Sequence, residues 1–465
     1  MIRERHDVFR QLFVATRGSL ELDSTLFEIV EPGADAHKLE FLEGLHINGE
    51  IEFQNWLRDE RAEIAKEQAM RPCLIDTPIV SGQNERRPRL VISSLRSDAN
   101  GASGLLADGL AGLISRTISD GVKVDVLMGS PADDDSSYAD PVRTDIDLIA
   151  TTNPERTLTH ITLQERTTKL QIWSELVHVT PEMLTDDLPE GILRTVSTSS
   201  NVALGWMINE LSTQGSEMAA YRRGLAHMRR HTMADFRKAD AEFERAFIIA
   251  PKAVYLAWRA YLRSFLAAEL VPTNLDIIEE EARSLIIQAL EAEPTNSLVL
   301  SLCAQCEAFV FLSFVNAHEL AQQSVDINPA NALGWACLGV AASHLGDHRA
   351  GLDHCRKARA IAGASPFRGH IDLLCCVVAI MAGDLKDARY FGEAAHGRLP
   401  HLAAPLRFLT ALLFHQRDED AAQSAMNKLQ VLEPGFEISH LRDPSYPSQS
   451  LQKSAIIASL PGKII

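Results

Sequence analysis

The sequence is poor in aromatic residues, in cysteine and in positive charge. Only 6% of its 465 residues are aromatic, seven are cysteine, and 45 Lys plus Arg stand against 62 Asp plus Glu. The net charge of −17 excludes a protein that coats nucleic acid through bulk charge, because that binding needs clustered Lys and Arg. The N-terminus lacks the apolar segment of a secretory signal, so we expect reduced thiols and a cytoplasmic location.

A convincing membrane span is also lacking. The most apolar window, 297–315, contains Gln305 and Glu307, and a carboxylate at the centre of a bilayer is costly. The composition is instead that of an ordinary globular protein, with 46% apolar and 23% charged residues. The length predicts roughly two to four domains.

The second half of the chain carries an internal repeat. A proline ends successive amphipathic runs at intervals of 34 to 43 residues, at Pro251, Pro294, Pro329, Pro366, Pro400 and Pro434. A period near 34 that holds two helices is typical of the tetratricopeptide repeat. The sequence therefore predicts five or six such repeats over 218–436, which form an all-α superhelix.

The clearest copy runs over 332–366. Gly339 and Ala358 are small where the two helices of a repeat must approach closely, and Trp335 is placed to fill the space between repeats. Gly346 precedes an aspartate at the position where the chain must turn between the helices, and the same pair recurs one repeat later. The copy thus predicts both helices and their turn.

The first half has the pattern of an α/β protein. Short apolar runs predict strands at 89–95, 123–128, 145–149, 158–163 and 169–177. An amphipathic helix is predicted at 105–118, and the last two strands are spaced for a hairpin. The pattern predicts an α/β domain at 86–180, with a linker at 71–85 before it and a connecting helix within 181–217 after it.

Two stretches of this domain resemble a known family. Leu-Ala-Asp-Gly-Leu-Ala-Gly at 106–112 and Ile-Trp-Ser-Glu at 172–175 resemble the TolB-amino-terminal-like domain that precedes tetratricopeptide repeats in bacterial regulators. The tail at 437–465, with Tyr446-Pro447 and a closing Leu460-Pro461, resembles the segment after the last repeat in those proteins. The resemblance implies a regulatory protein.

The first 70 residues resemble a second module of such regulators. The stretch 13–27 resembles the C-terminal wing of a winged helix, and 41–61 resembles the helical segment behind it in SARP or OmpR-like activators. Only about 12 residues precede the wing, so we expect a truncated recognition helix, and 1–70 hold 8 basic and 15 acidic side chains. Arg17, in the wing, is the one candidate DNA contact.

Motifs for catalysis or metal binding are incomplete. The glycines at 101 and 104 lack the lysine of a phosphate-binding loop, and no Gly-x-Ser-x-Gly or His-Glu-x-x-His motif occurs. Cys303 and Cys306 have the spacing of half a zinc site but no second pair, which favours core packing. His227 and His231 stand among arginines, which favours a solvated surface. We predict a protein that is not an enzyme and has no cofactor or metal.

A basic cluster is the most suggestive candidate site. Four arginines lie within nine residues of an otherwise acidic chain: Arg222, Arg223, Arg229 and Arg230. Arginine binds carboxylates through two parallel hydrogen bonds, so the cluster is a candidate site for an acidic peptide at the entrance to the repeat groove. The alternative is a solvated face that pairs with acidic residues of the following helix, at 235, 240, 242 and 244.

Two functional hypotheses remain open. One is a regulator of the transcription-activator type, in which the α/β domain and repeats bind a ligand or protein and DNA is contacted weakly or through a partner. The other is an interaction scaffold unrelated to transcription, whose repeat groove holds a protein or peptide.

Overall fold

The computed structural model describes residues 13–16, 19–22, 89–95, 101–128, 145–153, 158–165, 168–178, 188–212, 216–269, 275–363 and 365–461. The chain forms two compact units, 1–83 and 84–465. In the first unit, β1 (Phe13–Thr16) pairs antiparallel with β2 (Ser19–Leu22). Arg17 and the helical segment within 41–61 lie outside the described residues.

The second unit begins with a five-stranded mixed sheet. Its strands, in chain order, are β3 (Arg89–Leu95), β4 (Asp125–Met128), β5 (Asp145–Asn153), β6 (Leu158–Glu165) and β7 (Gln171–His178). The spatial order is β4-β3-β5-β6-β7. Strand β3 pairs parallel with β4 and β5, whereas β6 pairs antiparallel with β5 and β7. The predicted hairpin is therefore the β6–β7 pair.

Two long helices accompany the sheet. Helix α1 (Gly101–Gly121) connects β3 to β4 and contacts β3 and β5, and α2 (Glu190–Glu210) contacts α1 and β7. Leu110, Ile114 and Ile118 recur along one face of α1 and are fully buried. They share a core with Leu90 of β3, so one apolar helix face is what joins α1 to the sheet.

The remainder is an array of six antiparallel helix pairs, which confirms the predicted helical-repeat superhelix. The pairs are α3 (Glu217–Met228) with α4 (Met233–Ile249), α5 (Ala253–Ala268) with α6 (Leu275–Ala292), α7 (Ser297–Phe309) with α8 (Phe314–Ile327), α9 (Ala332–His344) with α10 (His348–Ala362), α11 (Arg368–Met381) with α12 (Leu385–Arg398), and α13 (Ala403–His415) with α14 (Glu419–Leu432).

Polar caps begin many of these helices. The side chains of Asn331, Asp347, Asp384 and Asp418 each accept a hydrogen bond from a backbone N–H in the first turn of the helix that follows. Such a cap satisfies one of the donors that a helix leaves open at its start. The recurring aspartate of the predicted turn is therefore the N-cap of the second helix.

The turns and close approaches follow the sequence prediction. Gly346 has a φ of +106° and Gly383 a φ of +74°, a backbone conformation that favours glycine. At Gly339 a Cβ atom would lie 2.7 Å from the carbonyl oxygen of Gly351 on the partner helix. Glycine at position 339 is thus what allows α9 and α10 to approach each other.

The inside of the superhelix is filled. Helices α5 and α11 belong to the second and fifth pairs, yet Trp258 of α5 stacks on Phe367 beside α11 with ring centroids 5.4 Å apart. Glu269, at the end of α5, accepts hydrogen bonds from the backbone N–H groups of Ala403 and Ala404. Part of the groove predicted for a peptide partner is therefore occupied by the chain's own side chains.

The tail continues this packing. A 3-10 helix (Ile438–Arg442) and two short helices, α15 (Gln449–Gln452) and α16 (Ile456–Ser459), follow the last pair and contact α11 and α13. Arg407 of α13 is fully buried and donates to the carbonyl oxygen of Ala268 and to the carboxylate of Glu433. Tyr446 of the tail donates to the same carboxylate.

A membrane-spanning helix and a disulfide bond are both absent from the described part of the chain. None of its helices has both the length and the apolar character that a bilayer crossing requires. Its six cysteines are all free and buried.

Candidate functional site

The basic cluster lies on α3 and the turn after it. Arg223 donates from Nε and Nη2 to the two carboxylate oxygens of Glu242, each at 2.8 Å. This bidentate pair raises the pKa of the Arg223 guanidinium. Arg222 donates to the side-chain oxygen of Asn209 at 2.9 Å. Both side chains are thus engaged within the protein.

Asp235 of α4 neutralises a second part of the cluster. His227 Nδ1 lies 2.9 Å and Arg230 Nη1 3.1 Å from the same carboxylate oxygen, and Thr232 donates to the other oxygen at 2.8 Å. These contacts, led by His227, lower the pKa of Asp235 to about 2. Asp235 and Glu242 thus pair with the cluster as the alternative to an acidic-peptide site predicts, whereas Asp240 and Glu244 pair with Arg259 of α5 instead.

Arg229 differs from its neighbours. It is exposed, and no carboxylate of the described residues forms an ion pair with it. The residue borders a cavity of about 180 Å³ that lies between α2, α3, α5 and the start of α11. One arginine of the predicted four therefore lies at the edge of a cavity.

Aromatic rings form one wall of this cavity. They come from α4, α5 and the start of α11: Phe236, Trp258, Tyr261, Phe265 and Phe367. Trp258 Nε1 donates to the hydroxyl of Tyr221 at 3.2 Å, which fixes the indole ring. A concave apolar pocket with a few polar groups is the usual form of a small-molecule site.

The opposite wall is polar and comes from α1 and the ends of repeat helices. Asp120 accepts a hydrogen bond from the hydroxyl of Ser297, and Asn328 donates to Thr117 at 3.1 Å. Burial raises the pKa of the Asp120 carboxyl to about 6. These bonds attach the α/β part to the repeats, so both parts build the cavity.

His370 is the unusual group of the cavity. The residue is 6% exposed, and neither ring nitrogen has a hydrogen-bond partner in the part of the chain that the structure describes. The ring packs against Tyr261 and Phe265, with centroids 5.6 and 5.1 Å apart. Burial, with a smaller effect from His231, lowers the pKa of His370 to about 3, so the imidazole is neutral at pH 7.

His231 does not lie on the solvated surface that the sequence predicts for it. The residue follows the end of α3 with a φ of +52°, and its ring lies half-buried against Phe236 and lines the cavity. A solvated surface was therefore wrong for His231. Cys303 and Cys306 lie in the core, and no group of three metal-binding side chains occurs in the described ranges.

The cavity itself is not visible in the sequence pattern. Its residues come from positions 117 to 371 and meet through tertiary packing alone. One signal was present: seven aromatic residues fall between 236 and 265 in a chain that is 6% aromatic.

Comparisons with known proteins add little. No protein-family model and no curated protein matches the chain. A crystal structure of PilW, described as a widely conserved type IV pilus biogenesis factor, is 17% identical with a TM-score of 0.34 and covers 49% of this chain and 98% of its own. PilF of Pseudomonas aeruginosa is 16% identical with a TM-score of 0.32 and covers 51% and 96%. Likeness at this level carries no argument about function.

Proposed function

We propose that this chain is a non-enzymatic interaction protein whose helical repeats hold a protein partner on their outer face. The observation that carries the proposal is the distribution of exposed apolar side chains. The described residues include thirteen large apolar side chains that are exposed, and eight of these lie on the second helices of the repeats. Exposed apolar groups that gather on one face mark interaction surfaces.

Helix α6 is the centre of the proposed surface. Leu275, Ile277 and Ile287 are 56%, 49% and 50% exposed. Glu279 and Glu280 lie beside them on the exposed part of the helix. A partner surface that combines apolar and basic side chains would complement this one.

The packing inside the superhelix also favours the outer face as the binding surface. The first helices of the second to sixth pairs are buried almost all round, for example at twelve positions of α5 and of α11. A peptide that bound to them would have to displace Trp258 from Phe367 and the tail from α13. The outer face needs no such rearrangement.

The test compares two variants by cross-linking in the source cells and mass spectrometry of what is recovered with the protein. We expect Ile277→Glu/Ile287→Glu to lose a partner that the wild type retains. Leu176→Glu is the matched control, since Leu176 is 64% exposed on β7, outside the repeats. Equal recovery from both variants, with unchanged thermal unfolding, would refute the outer-face assignment.

The link to transcription is a separate proposal that rests on the family resemblance. We propose that any DNA contact is made through a partner, given the acidic front segment. A gel shift at low salt with genomic fragments tests it: binding by the purified chain that resists competitor DNA would contradict it. A cytoplasmic location stays a prediction from the sequence.

A further inference from the structure

Three arginines converge on one buried aspartate between the fourth and fifth helix pairs. The aspartate is Asp372 of α11, which is fully buried. Its carboxylate lies 2.7 Å from Nε of Arg359, 3.3 Å from Nε of Arg368 and 3.3 Å from Nη1 of Arg398. The three side chains come from the end of α10, the start of α11 and the end of α12. One negative charge is thus surrounded by three positive charges.

A fourth arginine approaches the same place from the α/β part of the chain. Arg194 of α2 is exposed, and a Cβ atom built on Gly363 would lie 3.5 Å from its Cγ. The carbonyl oxygen of Gly363 accepts a hydrogen bond from Nη1 of Arg368 at 3.2 Å. Arg194 and Arg368 therefore both lie beside Gly363. We call the four arginines together with Asp372 the Asp372 cluster.

The positive charge of the Asp372 cluster is not balanced within the described part of the chain. Asp372 is the one carboxylate of the described residues that forms an ion pair with any of its arginines. Arg223 and Arg230 of α3 and its turn, by contrast, each have a carboxylate partner. An excess of one sign of charge at a single place raises the local concentration of ions of the other sign. In a chain with a net charge of −17, this excess of positive charge favours a bound anion.

Hydrogen-bond donors also remain open in the Asp372 cluster. The side chain of Arg398 is 51% exposed and donates through Nη1 alone, to Asp372 and to the carbonyl oxygen of Ala394. Its Nε and Nη2 have no acceptor among the described residues. Arg359 is more buried, and Asp372 and the hydroxyl of Tyr390 hold its guanidinium in place. The outer arginine can therefore donate to a ligand while the inner ones stay fixed.

We propose that the Asp372 cluster binds a phosphate group, either inorganic phosphate or a phosphate monoester. Arg398 donates to the phosphate oxygens, Arg194 adds positive charge at the edge, and Asp372 positions the inner guanidiniums. A phosphate group carries about 1.5 to 2 negative charges near pH 7 and three strong acceptor oxygens, so it matches this excess of charge and donors better than a singly charged carboxylate does. The site does not depend on a protein partner at α6.

Isothermal titration calorimetry on the full chain tests the proposal with inorganic phosphate, glycerol 2-phosphate and acetate at constant ionic strength. We expect both phosphates to bind, and acetate to bind roughly tenfold more weakly because it makes fewer charge-assisted hydrogen bonds. Tighter binding of glycerol 2-phosphate would identify an ester as the ligand, whereas tighter binding of inorganic phosphate would identify the free anion. Equal binding of the two would show that the cluster recognises the phosphate group alone.

Variants at the surface of the cluster locate the site. Arg398→Gln should weaken phosphate binding roughly tenfold, and Arg194→Gln should weaken it roughly threefold. Both side chains are exposed enough for the fold to persist, which thermal unfolding without phosphate checks. Arg245→Gln is the matched control, because Arg245 is an exposed arginine of α4 in the first helix pair and should bind phosphate like the wild type.

Three results would overturn the proposal. They are the absence of heat with both phosphates, equal affinity for acetate and phosphate, and equal loss of phosphate binding in Arg398→Gln and Arg245→Gln. None of them would change the outer-face experiment, since Ile277 and Ile287 lie on α6 of the second pair.

Discussion

At the scale of single residues, His370 is a buried polar group whose two ring nitrogens have no partner among the described residues. Such an imidazole destabilises the fold, although its ring packs against Tyr261 and Phe265 of α5. Sequence patterns do not reveal such a residue, because its lack of partners depends on the neighbours that folding brings to it.

His370→Phe is expected to stabilise the protein by about 1–3 kcal/mol at pH 7, since two unpaired polar atoms are removed and the cavity accepts the larger ring. The difference in the free energy of unfolding between the variant and the wild type should grow by about 2 kcal/mol at pH 5. The unfolded imidazole binds a proton below its ordinary pKa of 6.5, whereas burial lowers the pKa of the folded group to about 3. The wild type therefore loses stability as the pH falls from 6.5 towards 3, and the variant lacks this loss.

Urea unfolding at pH 7 and pH 5 measures both effects. The neighbouring His231 is unchanged in the comparison, so its own titration cancels. Leu176→Phe, at an exposed position of β7 that carries no titratable group, is the control and should show no growth of the difference with pH. A difference between His370→Phe and wild type that is the same at both pH values would contradict the assignment of a buried neutral imidazole.

At the scale of helices and turns, the sequence was a good guide. The period near 34 is preserved because each pair must pack against the next in the same way. Gly346 and Gly383 adopt the positive φ that their turns require, and at the corresponding turn of the last pair Arg417 takes a φ of +61°. His231 was misplaced because the chain reverses just after α3, and a positive φ there is not visible in a helical pattern.

Gly339→Ala tests the close approach of α9 and α10. The new methyl group would meet the Gly351 carbonyl oxygen at 2.7 Å, so we expect a loss of about 1–3 kcal/mol in the free energy of unfolding. Gly397→Ala is the matched control in α12, where nothing lies within 4 Å of the added atom. It should gain ~0.5–1 kcal/mol from helix propensity. Thermal denaturation of both variants measures these changes in stability. Equal changes in Gly339→Ala and Gly397→Ala would contradict a close approach of α9 and α10 at Gly339.

At the scale of the whole molecule, a buried cation joins the second and last helix pairs. Arg407 of the sixth pair donates to Ala268 at the end of α5 and to Glu433 at the end of α14, and its guanidinium lies 5.1 Å from the centre of the Tyr446 ring in the tail. A carboxylate that loses a buried partner keeps its desolvation cost. Arg407 therefore stabilises the contact between the second pair, the last pair and the tail.

Arg407→Met should cost about 3–5 kcal/mol, because Glu433 remains 14% exposed with no guanidinium beside it. Adding Glu433→Gln should restore part of that loss, since the unpaired charge is then gone. Arg389→Met, which breaks a more exposed pair with Asp418, should change stability by less than about 1 kcal/mol. Chemical denaturation of the three variants, with limited proteolysis of the tail, measures these effects. Similar losses of stability in Arg407→Met and Arg389→Met would contradict a special role of Arg407 in joining the second and last helix pairs.

Local patterns in the sequence are enough to predict the repeats, their turns and the strands of the sheet, because these depend on periodicity and on near neighbours. The pairing of the basic cluster, the packing inside the superhelix and the cavity that remains there follow from tertiary structure alone. The physical reason is that Asp120, Trp258 and His370 lie far apart in the chain. Their meeting depends on the curvature of the array, which is the sum of small rotations at every helix pair.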